Sequence, residues 1–237
     1  MLERKGDRLS AALLDDFHTM DIALTLAGDT IVEVAAHMDR FPRTTCPGAV
    51  GTLQAALRGR RIDDRSAQIR GVDRGEQCTH LIDLAAVALS WGGRDGATQI
   101  IEVALTDRDA EHRQNLHMTV DGVPALACEF QDETILAPEA HRGRKLFGGF
   151  ARWVDETFTR AEGRLWLVAQ ISVFVGTGRA YIVDSPVPRR SSAEPARRGA
   201  CFSYSGEAFD TAFDNIGYVR DHSGGLPPVP ASARETE

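Results

Sequence analysis

The clearest pattern in the chain is an alternation of apolar and polar residues between residues 17 and 38. Apolar side chains recur at every second position from residue 18 to residue 26, as in a strand with one buried face. Gly28 and Asp29 supply the turn of a hairpin. The period places Asp16 and His18 on the buried side at the start of the first strand, and it places His37 on the opposite side. The apolar face of the return strand is predicted to hold Val32, Val34, Ala36 and Met38.

Two helices are predicted after this hairpin. The segment TTCPGAVGTLQAALRG has apolar residues at helical spacing, with Pro47 in the first turn and Gly59 at the end. Cys46 then lies at a helix N-terminus, where the helix dipole favours thiolate over thiol. A second helix is predicted from about residue 77 to residue 91, with Cys78 and His80 in its opening turn.

From residue 98 the pattern changes to short strands, and Asp121-Gly122 predicts a tight hairpin. The run RLWLVAQISVFVG suits a helix or a strand equally. The predicted class is α+β: an antiparallel hairpin sheet with covering helices, followed by a second antiparallel meander and helices. The predicted division is residues 1–95, residues 96–225 and a disordered tail at 226–237, with a mobile loop at 184–200.

Composition narrows the functional classes. The chain has 237 residues and a formal charge of -7, so it lacks the excess of Lys and Arg that a nucleic-acid binder needs. We expect a small-molecule substrate, no nucleic acid and no membrane, with a homo-oligomer as an open alternative. The apolar runs are too short to span a bilayer and the start has no secretory pattern, which indicates a cytoplasmic protein. Four cysteines are too few for a disulfide scaffold, so reduced thiols or metal thiolates are expected.

Four residues in the first third of the chain could bind a metal together. His18, Cys46, Cys78 and His80 each lie beside a predicted boundary of a helix or strand. Thiolate and imidazole ligands suit zinc or iron, so the spacing predicts one such ion. The alternative is that all four side chains only pack in the core, as free cysteines commonly do.

Several motifs resemble a known family. The segments DDFHTM, RFPRTTCPGA, LRGRRI and CTHLIDLA are similar to the bacterial domain-of-unknown-function family DUF2889, and the resemblance extends over nearly the whole chain. The family label implies no reaction. Its association with genes for aromatic compound catabolism implies a small, aromatic-derived substrate.

The order of strands, cysteines and helices also resembles the U-type iron-sulfur cluster scaffold proteins over about residues 10–92. Asp16 stands where that family has its first Cys, while Cys46 and Cys78 match the second and third. Because a carboxylate replaces one thiolate, the set looks more like a mononuclear site with mixed ligands than a cluster site.

The functional hypothesis is therefore a zinc- or iron-dependent enzyme with hydrolase or lyase chemistry. The metal polarises a carbonyl or activates water, and Asp16, His18 and His141 are the candidate acid–base residues. An iron-sulfur scaffold or carrier and a metal-free binding protein are the alternatives. The chain has no GxGxxG after a strand, no Walker loop and no GxSxG, so the common nucleotide and serine-hydrolase sites lose their usual sequence support.

Overall fold

A computed structural model describes residues 1–62, 68–181 and 186–227. Within these ranges the chain forms two compact units. The first contains residues 1–62, 68–98 and 186–227, and the second contains residues 99–181. The sequence placed the boundary after residue 95 and assigned residues 96–225 to one half. The structure differs because the chain returns to the first unit at residue 186.

The first unit contains a five-stranded antiparallel sheet in the order β4-β3-β2-β1-β5. The predicted hairpin is confirmed as β3 and β4, and Gly28 has a positive φ of 62° at its turn. The hairpin β1/β2 was missed because its first strand is short and mostly polar. The strands are β1 Leu2–Lys5, β2 Arg8–Leu14, β3 Thr19–Ala27, β4 Thr30–Arg40 and β5 Thr98–Gln99.

The buried face of β4 differs from the prediction. Ile31, Val34 and Met38 are buried, but Val32 is exposed. A register shift between Thr25 and Leu26 of β3 breaks the strict alternation along the pair. The alternation predicted for β3 itself is confirmed, with Met20, Ile22, Leu24 and Leu26 all buried.

Two helices pack on this sheet. A 3-10 turn at Cys46–Gly48 precedes α1 (Ala49–Leu57), which packs against β4. The second helix, α2 (Thr79–Trp91), packs against β2 and β3 and has Cys78 as its N-cap. Gly92 ends α2 in the left-handed conformation that favours glycine at this position. Both predicted helices are therefore present: α1 begins three residues after Cys46, and α2 begins at Thr79, two residues after its predicted start near residue 77.

The second unit contains a four-stranded antiparallel meander in the order β6-β7-β8-β9. Its Asp121-Gly122 hairpin is confirmed, and both residues have positive φ. The ambiguous apolar run is helical, and its helix begins with a capping box between Thr159 and Glu162. The elements are β6 Ile101–Leu105, β7 Arg113–Val120, β8 Val123–Gln131, β9 Thr134–Ala137, α3 Phe150–Thr157 and α4 Arg160–Gly176.

These elements bury a separate core. Leu116, Phe130, Phe150 and Trp166 are among its largest members, and Cys128 is also buried there. Together with the first unit, this arrangement confirms the α+β class.

A buried ion-pair network attaches residues 186–215 to the first unit. Arg43 is 5% exposed and binds Asp214 at 2.8 Å and Glu194 at 3.3 Å. Tyr204 donates a hydrogen bond of 2.7 Å to the same Glu194 carboxylate. Residues 186–200 of the predicted mobile loop are therefore held in place, before α5 (Ala208–Thr211). Most of the predicted tail, residues 228–237, lies outside the described residues.

No helix in the described ranges combines the length and the apolar character needed to cross a membrane.

Arg164 of α4 is an unusual buried charge. It is 6% exposed, and its Nε and Nη1 atoms have no hydrogen-bond partner in the described part of the chain. Desolvation lowers its pKa to about 10, so the guanidinium still carries its charge at neutral pH. A buried charge without a partner is costly to the folded state.

We expect Arg164→Met to stabilise the protein by about 1–3 kcal/mol, because an apolar chain of similar length removes the unpaired charge. Chemical denaturation measures the change. Arg152→Met, at an exposed position of α3, is the control and should change stability little. Destabilisation by Arg164→Met would contradict the interpretation.

Candidate functional site

Asp15 organises the turn between β2 and β3. Its Oδ1 atom accepts hydrogen bonds from the backbone N–H groups of Phe17 and His18, both at 2.7 Å. The same oxygen lies 3.0 Å from Nδ1 of His18. Burial opposes ionisation of the carboxyl, but the charge of His18 and these hydrogen bonds outweigh it and lower the pKa of Asp15 to about 2. Asp15 is therefore an anion that accepts three hydrogen bonds.

Arg40, the last residue of β4, holds this turn from the other side. Its Nη1 donates to the carbonyl oxygens of Asp16 at 2.7 Å and Tyr218 at 2.9 Å. Its Nη2 donates to the carbonyls of Asp15 and His18, and its Nε donates to the Thr19 hydroxyl at 3.2 Å. All five guanidinium N–H donors are thereby used.

His18 and His80 form a close pair of imidazoles. Their ring centroids are 4.0 Å apart, with an angle of 34° between the ring planes. His18 is 5% exposed, whereas His80, in the first turn of α2, keeps partial contact with solvent. Desolvation, followed by the charge of His18, lowers the pKa of His80 to about 3. His80 is therefore neutral over the physiological range.

The two predicted cysteine ligands lie in a second cluster. Sγ of Cys46 is 3.4 Å from Oγ of Ser203. Burial, together with the neighbouring thiols of Cys46 and Cys201, raises the pKa of Cys78 to about 12. Burial also raises the pKa of Cys46. The expectation that a helix N-terminus makes Cys46 a thiolate is therefore wrong, because desolvation outweighs the helix dipole.

The structure does not bring His18, Cys46, Cys78 and His80 together around one point. His80 pairs with His18, whereas Cys78 lies with Cys46 and Cys201. Over residues 1–62, 68–181 and 186–227, no group of three or more His, Cys, Asp or Glu side chains is arranged to hold a metal ion.

Asp16, a predicted catalytic residue, binds the backbone of the C-terminal segment. Its carbonyl accepts a hydrogen bond of 2.8 Å from the backbone N–H of Arg220, and its Oδ1 accepts one of 3.3 Å from the N–H of His222. The acid that contacts His18 is the neighbouring Asp15, which the sequence reading missed. The spacing Asp-x-x-His at a strand opening was the available signal, because a turn of this length lets the carboxylate accept from the histidine.

His141, the third predicted catalytic residue, belongs to the second unit. Its ring packs edge-on against Trp153, Phe158 and Trp166, with centroid distances between 5.2 and 5.4 Å. This environment is an aromatic cluster, and a catalytic role for His141 stays a prediction.

One family model matches part of the chain. Residues 5–90 match the family model described as "Protein of unknown function (DUF2889)". The match includes β2, β3, β4, α1 and most of α2, a shorter range than the resemblance suggested. The description names no activity. No curated protein and no solved structure matches this chain.

The match contains all the residues of the acid–histidine cluster, Asp15, His18, Arg40 and His80. It excludes Tyr218 and the rest of the C-terminal segment that contacts them.

The neutral state of His80 predicts a pH dependence of stability. Its pKa is below the ordinary value of 6.5, so the unfolded chain binds a proton that the folded chain does not. Stability is fully present above pH 6.5 and falls as the pH decreases toward about 3, with a slope of at most about 1.4 kcal/mol per pH unit. Asp15 adds a separate loss at lower pH, as its carboxylate is protonated between its ordinary pKa of 3.8 and about 2.

His80→Asn should flatten the stability profile between pH 6.5 and pH 4.5, as measured by urea denaturation at each pH. His37→Asn, at an exposed histidine of β4, should leave the profile unchanged. Equal profiles for wild type and His80→Asn would show that His80 is not held neutral in the fold.

Arg40→Lys should destabilise the protein by about 2 kcal/mol or more, because one ammonium cannot serve four backbone carbonyls and a hydroxyl. Urea denaturation measures the loss. Arg61→Lys, at an exposed arginine paired with Asp29, should show no measurable change. If both variants behave alike, the Arg40 contacts do not stabilise the turn.

Proposed function

We propose that the first unit is an enzyme that uses Asp15, His18 and His80 for proton transfer on a small organic molecule, by hydrolase or lyase chemistry. One observation carries the proposal: buried His18 is bound to the half-buried carboxylate of Asp15 at 3.0 Å, and its ring centroid lies 4.0 Å from that of a second, neutral histidine, His80. A carboxylate that orients an imidazole is the arrangement by which many enzymes fix a general base.

The hydrogen bond defines the state of His18. Ionised Asp15 can only accept hydrogen bonds, so Nδ1 of His18 must carry the proton. In its neutral form, His18 with the proton on Nδ1 presents the lone pair of Nε2, which can accept a proton from a substrate or from water. Asp15 stabilises the imidazolium that results.

His80 is the more accessible imidazole and completes the pair. Two cationic rings at this separation would repel strongly, so a proton gained by one ring disfavours a proton on the other. We assign His18 the role of base and His80 the role of a neutral hydrogen-bonding group that meets the substrate.

As the second candidate function, we propose a metal-dependent form of this enzyme with one zinc or iron ion. Asp15 orients His18 in the way that carboxylates orient metal-binding histidines. Such an ion would be held by His18 and His80, with water or substrate completing its coordination. Cys46 and Cys78 lie with Cys201 and not with this histidine pair, so they are not proposed as ligands of the same ion.

The test is a turnover screen followed by matched variants. Purified protein is incubated with pools of esters, amides, hydroxy acids and ring-containing acids, and the products are detected by mass spectrometry. For any substrate found, His18→Asn and Asp15→Asn should lower kcat/KM by about 10²–10⁴-fold. His37→Asn is the control and should retain wild-type turnover.

Each outcome separates the candidate functions. Full turnover by both His18→Asn and His80→Asn would overturn the proposal. Stoichiometric zinc or iron that both variants lose, together with activity, would replace it with the metal-dependent form. A coloured protein with bound iron and sulfide would favour the iron-sulfur carrier, and binding without turnover would favour the metal-free binding protein.

A further inference from the structure

Three exposed aromatic side chains of the second unit border one cavity. Phe147, Phe174 and Tyr181 are 40%, 47% and 72% exposed, respectively. The cavity has a volume of about 360 Å³. This volume lies in the range typical of small-molecule sites, and clustered exposed aromatic rings commonly mark a binding surface. Its other walls include Arg108, Glu133 and Thr177.

The aromatic walls suit a flat ring. Phe147 and Phe174 have ring centroids 6.2 Å apart and planes inclined by 71°, so they present two nearly perpendicular surfaces. A planar ligand can stack on one ring and place its edge against the other, an arrangement that aromatic groups favour.

The end of α4 is fixed close to the sheet at this cavity. A Cβ atom on Gly176 would come within 2.5 Å of Leu105 of β6, so glycine permits the close approach. Because α4 ends close to β6, Phe174 and Thr177 line the same cavity as Arg108, which follows β6 in the chain.

The polar wall supplies a cation with spare donors. Nη2 of Arg108 binds Glu133 at 2.8 Å, and its Nε lies 3.4 Å from the side-chain oxygen of Gln114. Within the described ranges, no hydrogen bond of its Nη1 is found. Arg108 is only partly exposed, so a carboxylate there would bind in a less hydrated setting than at an open surface.

We propose that this cavity binds a small planar organic acid, whose ring packs on Phe147 and Phe174 and whose carboxylate binds Arg108. The site belongs to the second unit and does not rest on the proposed proton-transfer function. Glu133 competes for the same guanidinium, so it weakens binding of an anion and would strengthen binding of a cation.

The probe is 2-naphthoate, and its binding is measured by isothermal titration calorimetry or by chemical shifts of the protein. Three matched compounds separate the contributions: cyclohexanecarboxylate lacks the flat ring, 2-naphthylmethanol lacks the charge and 2-naphthylmethylamine reverses it. We expect 2-naphthoate to bind more tightly than all three.

Variants of the two polar residues should change affinity in opposite directions. Arg108→Gln should weaken 2-naphthoate binding by about tenfold or more, and Glu133→Gln should strengthen it several-fold. Phe174→Ala should weaken binding by about tenfold, through loss of the stacking surface. Val123→Ala, at an exposed apolar position of the same unit, is the control and should not change affinity.

A gain of affinity in Glu133→Gln cannot come from general unfolding, so this variant keeps the test informative if Arg108→Gln folds poorly. Tighter binding of 2-naphthylmethylamine would overturn the proposal in favour of a cation site. It is also overturned if 2-naphthoate fails to saturate the protein up to the solubility limit of the compound, or if Phe174→Ala and Val123→Ala bind it equally.

Discussion

The candidate site depends on the five hydrogen bonds that Arg40 donates. Four of its acceptors are part-buried backbone carbonyls, of which those of Asp16 and His18 also accept a backbone N–H, and losing hydrogen bonds at such carbonyls is costly. One guanidinium thereby fixes the turn at residues 15–18 and attaches Tyr218 of the C-terminal segment to it. The conformation of this turn lets Asp15 accept from the backbone and from His18 at the same time.

Local patterns predicted the elements near this turn but not their partners. The alternation of β3, the Gly28-Asp29 turn and the spacing of α2 each depend on neighbouring residues, and all three are confirmed. Arg40 and Tyr218 are separated by 178 positions, so no local pattern can relate them. Arg43 and Asp214 are also far apart in the sequence, so no local pattern predicts the ion pair that they form where the chain has returned to the first unit.

The sequence grouped His18, Cys46, Cys78 and His80 as one set of metal ligands, but their actual grouping depends on the direction of each side chain. His18 and His80 were both predicted near element openings, and the structure places their rings in contact. Cys78 is only two residues from His80, but it is the extended N-cap of α2 and lies near Cys46 instead. The closeness of Cys78 and His80 in the sequence therefore suggested one site, whereas the folded chain places them in two separate clusters.

Desolvation then determines which of these two clusters has usable chemistry. Burial favours the neutral form of each isolated group, so the thiols of Cys46 and Cys78 keep their protons and lose the nucleophilic and metal-binding form. The same effect leaves His80 without a proton, which is its reactive form as an acceptor. Asp15 escapes neutralisation because it accepts three hydrogen bonds and faces His18. Burial therefore keeps the thiols protonated and the His80 imidazole neutral, while hydrogen bonds keep Asp15 ionised beside His18, and the proposed proton transfer depends on this combination.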